Sequence, residues 1–152
     1  MKALGIAAVM MLLSAAEAQV QPQQWVLMEV NDRHLTALDR TSVTPAADAL
    51  SAKYIIVNRH TDARDSDYAI HTIEVNCERE TFQLKSYVLF KLSGEVIREH
   101  FADTVPISVD PRSRADLLFQ HLCNGLDLGN PISRTPLEFA TGVRLYLIER
   151  TP

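Results

Sequence analysis

Hydrophobic and polar positions alternate with a period of two over most of this chain. They switch to a helical period near residue 115. WVLMEV, residues 25 to 30, puts Val26, Met28 and Val30 on one face and Glu29 on the other, which predicts a first strand. Asn31-Asp32-Arg33 supplies turn chemistry, and HLTALD, residues 34 to 39, alternates again, so a hairpin is expected. TSVTPAADALSA, residues 41 to 52, is rich in small side chains and predicts a connection with at most one helical turn. KYIIVN, residues 53 to 58, has strong strand composition. RHTDARDSD, residues 59 to 67, carries almost no apolar side chain and predicts an exposed loop.

Tyr68 to Cys77 predicts a strand with Ala69, His71, Ile73, Val75 and Cys77 on the core face. After a tight turn at Glu78-Arg79, Thr81 to Leu92 continues the pattern. Phe82, Leu84, Ser86, Val88, Phe90 and Leu92 are expected inward; Gln83, Lys85, Tyr87 and Lys91 are expected outward, giving a sheet with one wet side. Ser93-Gly94 turns the chain into a further strand, EVIREHF, and residues 103 to 114 are punctuated by proline and expected to be irregular. Ala115, Leu118, Phe119, Leu122 and Cys123 then recur at helical spacing. Ser113 can cap this helix, Asp116 stands near a capping-box position, and Gly125 suits a left-handed end. In the tail, Thr135-Pro136-Leu137-Glu138 has the chemistry of a helix start, whereas VRLYLIE has strand composition and Gly142 weakens a helix by about 1 kcal/mol. A helix is the expectation. The fold class read from these patterns is α+β: an antiparallel sheet of about six strands, with a C-terminal helix packed on one face.

The first residues change the compartment. MKALGIAAVMMLLSAAEA has a positive start, an apolar run from Ala3 to Leu13 and an A-x-A ending at Ala18, the layout of a secretory signal peptide cleaved after Ala18. The apolar run is shorter than the ~20 residues a spanning helix requires. No cysteine stands near the cut, and no later segment is long and apolar enough to cross a membrane. The expected organisation is a signal peptide over 1–18, then one domain over 19–152 with a C-terminal extension from about 126.

Export gives the two cysteines their meaning, because disulfides form and persist outside the cytosol. Two cysteines allow one intramolecular pair, Cys77 with Cys123. Free thiols or an intermolecular bridge are the alternatives. The spacing fits neither a CxxC redox motif nor a zinc site. A bond between them would staple the helix to the sheet.

The formal net charge is −4, and no cluster of Lys and Arg stands out, which argues against a nucleic-acid partner. Five histidines raise a metal or haem reading, with His60, His100 and His121 as donors beside Asp62, Asp65 and Asp67. They form no HxH or HExxH pair, and the acidic loop lacks the ligand pattern of an EF-hand, so no cofactor is expected. No G-x-S-x-G elbow is present, and two bridged cysteines leave no thiolate, so no catalytic residue is assigned.

Several short motifs appear in a fixed order. An early tryptophan strand, Trp25-Val26-Leu27, is followed by Asp39-Arg40-Thr41-Ser42-Val43. Tyr68 and Val75-Asn76-Cys77 come next, then Arg79 with Ser86-Tyr87. Val109-Asp110-Pro111-Arg112-Ser113 finally leads to Leu117-Leu118 and Cys123. In this order the chain resembles the surface-adhesin protein E-like family of Gram-negative bacteria, over roughly Trp25 to Cys123. The resemblance implies an antiparallel sheet with a disulfide-tied helix. It also implies an envelope domain, some members binding host matrix proteins. Asn76 stands where the family has Asp, Asp116 where it has Glu, and the segment after Cys123 is longer. The lipoprotein cysteine of the named adhesins is missing, which points to a periplasmic protein rather than a displayed one. The expected function is an exported envelope or periplasmic binding or structural module, periplasmic or secreted, whose partner is another envelope or host protein. A small haem- or metal-binding carrier and a small hydrolase are the alternatives.

Overall fold

A computed structural model of the chain describes residues 22–62, 65–102 and 104–150. The expected signal peptide, and Arg64 of the polar loop, lie outside them. Eight strands and two helices follow in order: β1 (Gln23–Val30), β2 (His34–Ala46), β3 (Ala49–Asn58), β4 (Tyr68–Asn76), β5 (Thr81–Phe90), β6 (Val96–Phe101), β7 (Ile107–Ser108), α1 (Arg114–Asn124), β8 (Ile132–Arg134) and α2 (Pro136–Glu149). The strands make one sheet in the order β6-β5-β4-β3-β2-β1-β8, with β7 pairing the free half of β5. Every pairing is antiparallel. The α+β class stands, with more strands than the six expected.

Local chemistry explains the turns. Between β1 and β2, Asn31 Oδ1 accepts the N–H groups of Arg33 and His34 at 2.9 and 3.0 Å, a side-chain substitute for turn hydrogen bonds. In the middle of β2 the register shifts between Asp39 and Thr44. Asp39 Oδ1 accepts the Thr41 hydroxyl at 2.6 Å, and Ser42 Oγ accepts the Lys53 N–H at 2.7 Å, so the irregular backbone keeps its partners. The connection expected over 41–52 is therefore strand on both sides of a two-residue loop, Ala47-Asp48. Ala47 takes φ +51°, a left-handed conformation normally left to Gly, Asn or Asp, and hence gives no turn signature.

The sheet is covered on both faces, not one. In β3, Ile55 and Val57 point to one face; Ala52, Tyr54 and Ile56 point to the other. The first face packs with Trp25, Leu35, Ala37 and Tyr68 against Phe139, Ala140 and Leu147 of α2. The second packs with Leu38, Ile73 and Val75 against Leu118 and Phe119 of α1. Trp25 and Phe139 stack at 5.3 Å between centroids, which adds about 1 kcal/mol to their burial.

A bulge in β5 corrects the expected inward set. Thr72 pairs with Ser86 and Ile73 with Leu84, so Lys85 is the extra residue and the alternation inverts there. Phe82 and Leu84 join the α1 core, whereas Phe90 and Leu92 join the α2 core. Tyr87, expected outward, makes a tilted ring contact with His71 on the α1 side, and His71 in turn stacks on Tyr54 at 4.8 Å.

Helix α1 begins and ends where expected. Ser113 Oγ accepts the Asp116 N–H at 3.1 Å, and Gly125 closes the helix at φ +71°. Cys77 and Cys123 are bonded, with Cα atoms 5.5 Å apart across 46 residues of chain. β4 ends at Asn76, so Cys77 sits in the β4–β5 turn rather than on a strand face. Helix α2 carries a full capping box: Glu138 N–H donates to Thr135 Oγ1, and Thr135 N–H donates to the Glu138 carboxylate at 2.9 Å. β8 and β7, unforeseen in the sequence, are three and two residues long.

Candidate binding groove and polar clusters

Helix α2 does not fully cover the end of the sheet formed by β1 and β8. Leu27, Val30 and Leu35 from the hairpin, Ile132 from β8, and Phe139, Val143 and Tyr146 from α2 line a half-open groove of about 400 Å³. That is within the range of small-molecule sites, roughly 300–1,000 Å³. Gly142 is part of the lining, and a Cβ added there would meet nothing within 4 Å. Four of the lining side chains remain open to solvent: Leu27 39%, Val30 41%, Ile132 40% and Tyr146 44%.

Two charged residues stand at the rim, Arg134 and Glu138. The Glu138 carboxylate is committed to the helix start, accepting the Thr135 N–H at 2.9 Å and its hydroxyl at 3.0 Å. Those bonds, with a smaller contribution from Arg134, hold it below its ordinary acidity range. The backbone of Arg134 is fixed as well, its carbonyl accepting Trp25 Nε1–H at 3.0 Å. Among the described residues, no carboxylate forms an ion pair with the Arg134 guanidinium.

On the opposite face, Glu29, Asn31, His34 and Tyr54 gather around Arg114 at the first turn of α1. His34 Nε2 lies 2.8 Å from Arg114 Nη2 and 3.1 Å from Asn31 Nδ2. Both neighbours are donors, so Nε2 accepts and the imidazole is neutral, with its proton on Nδ1. Burial and then the Arg114 charge push the His34 pKa down, against a smaller upward pull from Glu29. Burial would raise Glu29, but the Asn31 bond and the charges of Arg114 and His34 outweigh it and hold the carboxyl low. Burial pushes Tyr54 up, with Arg114 opposing. The cluster resembles an acid–base site in composition. Its imidazole lone pair, however, is already filled by two donors and points at protein rather than at a cleft.

The acidic loop is only partly the solvated segment expected. Asp67 is buried, and its Oδ1 accepts the Thr61 hydroxyl at 2.8 Å and the Arg144 guanidinium of α2. Its Oδ2 accepts the Leu92 N–H at 2.8 Å. Burial works to raise this carboxyl, and these bonds together bring it below the ordinary range. Asp62 Oδ1 accepts the Ser66 N–H at 2.9 Å, Asp65 pairs with Lys91, and His60 is exposed. His100 lies on β6 against Tyr87, and His121 directs Nδ1 to the Leu126 carbonyl. Among the described residues, no three His, Cys, Asp or Glu side chains are placed to hold a metal ion. The six donors proposed from sequence are thus spread over loop, edge strand and helix, with Asp67 spent on a structural tie.

Sequence reasoning missed the groove. One mark of it was available: α2 is apolar on more than one side, with Leu145, Tyr146 and Ile148 exposed as well as Phe139 and Leu147 buried, and a glycine lies in its middle. Comparison with protein-family models, with curated proteins and with solved structures finds no match for the chain.

Proposed function

We propose that this chain is an exported binding or structural module of a Gram-negative envelope, of the kind its resemblance to surface-adhesin protein E-like proteins implies. The observation that carries the reading is the Cys77–Cys123 bond, which joins the β4–β5 turn to the last turn of α1. Such bonds persist where thiols are not kept reduced. No helix among the described residues is long and apolar enough to cross a membrane. The polar clusters around Arg114 and Asp67 are engaged mainly with protein partners, and an open feature of the surface is an apolar groove, which suits binding better than turnover.

The test has two arms. Intact mass spectrometry of the protein from a periplasmic fraction, without reductant, should give Gln19–Pro152 less two hydrogens. Recovery from the cytosol with both thiols alkylatable would overturn export. A photo-crosslinking residue at Val30 should give discrete adducts in envelope extract, and the same residue at exposed Asp127 should not. Equal or no labelling from both positions would count against a binding role for this face.

A further inference from the structure

We propose that the groove between α2 and the β1–β8 end of the sheet binds a single-chain carboxylate amphiphile, a medium-chain fatty acid, with its tail along the lining and its carboxylate on Arg134. This deepens the binding-module reading and rests on it, but not on the compartment. Three observations converge. First, Leu27, Val30, Ile132 and Tyr146, all substantially exposed, surround one depression rather than being scattered, and clustered exposed apolar side chains mark an interaction site. Second, the lining is mostly apolar, with Arg134, Glu138 and the Tyr146 hydroxyl as its polar side-chain groups. A peptide laid in it would bury N–H and C=O groups against hydrocarbon, which is costly without partners, whereas an alkyl chain carries none. Third, the rim holds the Arg134 guanidinium, which closes no ion pair among the described residues, although the Glu138 charge is near enough to act on it. Glu138 is itself tied to Thr135, so a carboxylate is the complementary head group. The planar guanidinium suits a carboxylate in two-pronged geometry.

The competing occupant is an extended peptide added to the outer edge of β1. β8 pairs with β1 from Gln23 to Trp25, and among the described residues no strand pairs the edge beyond. That occupant would depend on backbone contacts and would show neither a preference for a free carboxylate nor a regular dependence on alkyl length.

The chain carries its own reporter. Trp25 is the single tryptophan, and it stacks on Phe139, which lines the groove. The experiment titrates the full chain, with its disulfide intact, with sodium dodecanoate below micelle formation, reading Trp25 fluorescence. Decanoate, octanoate, dodecanol and dodecyltrimethylammonium serve as comparisons. A saturable one-to-one change is expected, tightening about four-fold for each added methylene, the fold-change that corresponds to roughly 0.8 kcal/mol. Arg134→Gln should weaken dodecanoate about tenfold, as for loss of a charge-assisted contact, and leave dodecanol unchanged. Gly142→Leu places a side chain in the open space and should abolish binding, with a melting temperature no lower than the parent's. No saturable change, equal binding of the trimethylammonium compound, or indifference to Gly142→Leu would each overturn the proposal. If dodecanoate fails while Val30 still crosslinks a partner, the ligand class falls and the binding module stands.

Discussion

Asp67 is the residue on which three separated parts of the chain converge: the 59–67 loop through Thr61, the turn after β5 through Leu92, and α2 through Arg144. The loop sequence pointed to solvent because it has almost no apolar side chains. Arg144 lies 77 residues away, a distance over which no local pattern can announce a partner. Removing one member of a largely buried ion pair leaves the other charge uncompensated. Asp67→Ala should therefore cost about 3 kcal/mol at pH 7, measured by urea denaturation. The pH dependence follows in sign. Asp67 is held below its ordinary value of 3.8, so the unfolded chain takes up the proton first. This contribution is complete above about pH 4 and is lost as the pH falls through the folded-state value. Stability of the Asp67→Ala variant should fall less steeply with acid than that of the parent; parallel acid profiles would remove Asp67 from the account. His34 shows the same limit of sequence reading. Its place after a turn was evident, whereas its commitment to Arg114 arises only when α1 folds over β2.

Elements whose signals are local were legible, and those made by tertiary pairing were not. Helix α1 was readable to its caps, because Ser113, Asp116 and Gly125 act within a few residues of one another. The β1–β2 hairpin was readable through Asn31 for the same reason. The bulge at Lys85 was not, since a period-two pattern has no mark for one extra residue, and the alternation read across it put Phe90 and Leu92 on the same face as Phe82 and Leu84. β7 and β8 are too short to show a period, and their existence depends on free edges of β5 and β1. The groove belongs with them, because its walls come from the first hairpin and, roughly a hundred residues further on, from an edge strand and a helix. The disulfide is the cross-link between two such elements. Cys77→Ser should lower stability by about 2–5 kcal/mol, and adding reductant to the parent should reproduce the loss. A melting temperature indifferent to both would mean that α1 is held by packing alone.

At the scale of the molecule, a meandering sheet is shared by two cores, one under each helix. The central strands β2, β3 and β4 contribute to both, and Leu38, Ala52, Ile55, Val57, Ile73 and Val75 are all essentially inaccessible. β6 and β7 carry exposed Val96, Phe101 and Ile107. Native-state hydrogen exchange should therefore be slowest in β2–β4 and approach the global unfolding limit there, with β6, β7 and β8 exchanging orders of magnitude faster. Uniform protection across the sheet would contradict this division. The covalent tie secures only one side. Helix α1 is bonded to the β4–β5 turn, whereas α2 is held to the other face without a covalent link, by side-chain contacts and the Asp67–Arg144 pair. A premature stop or a proteolytic nick near Asn130 would thus spare the sulfur-linked half yet lay bare Trp25, Ile55 and Val57, turning a sealed interior into an adhesive surface.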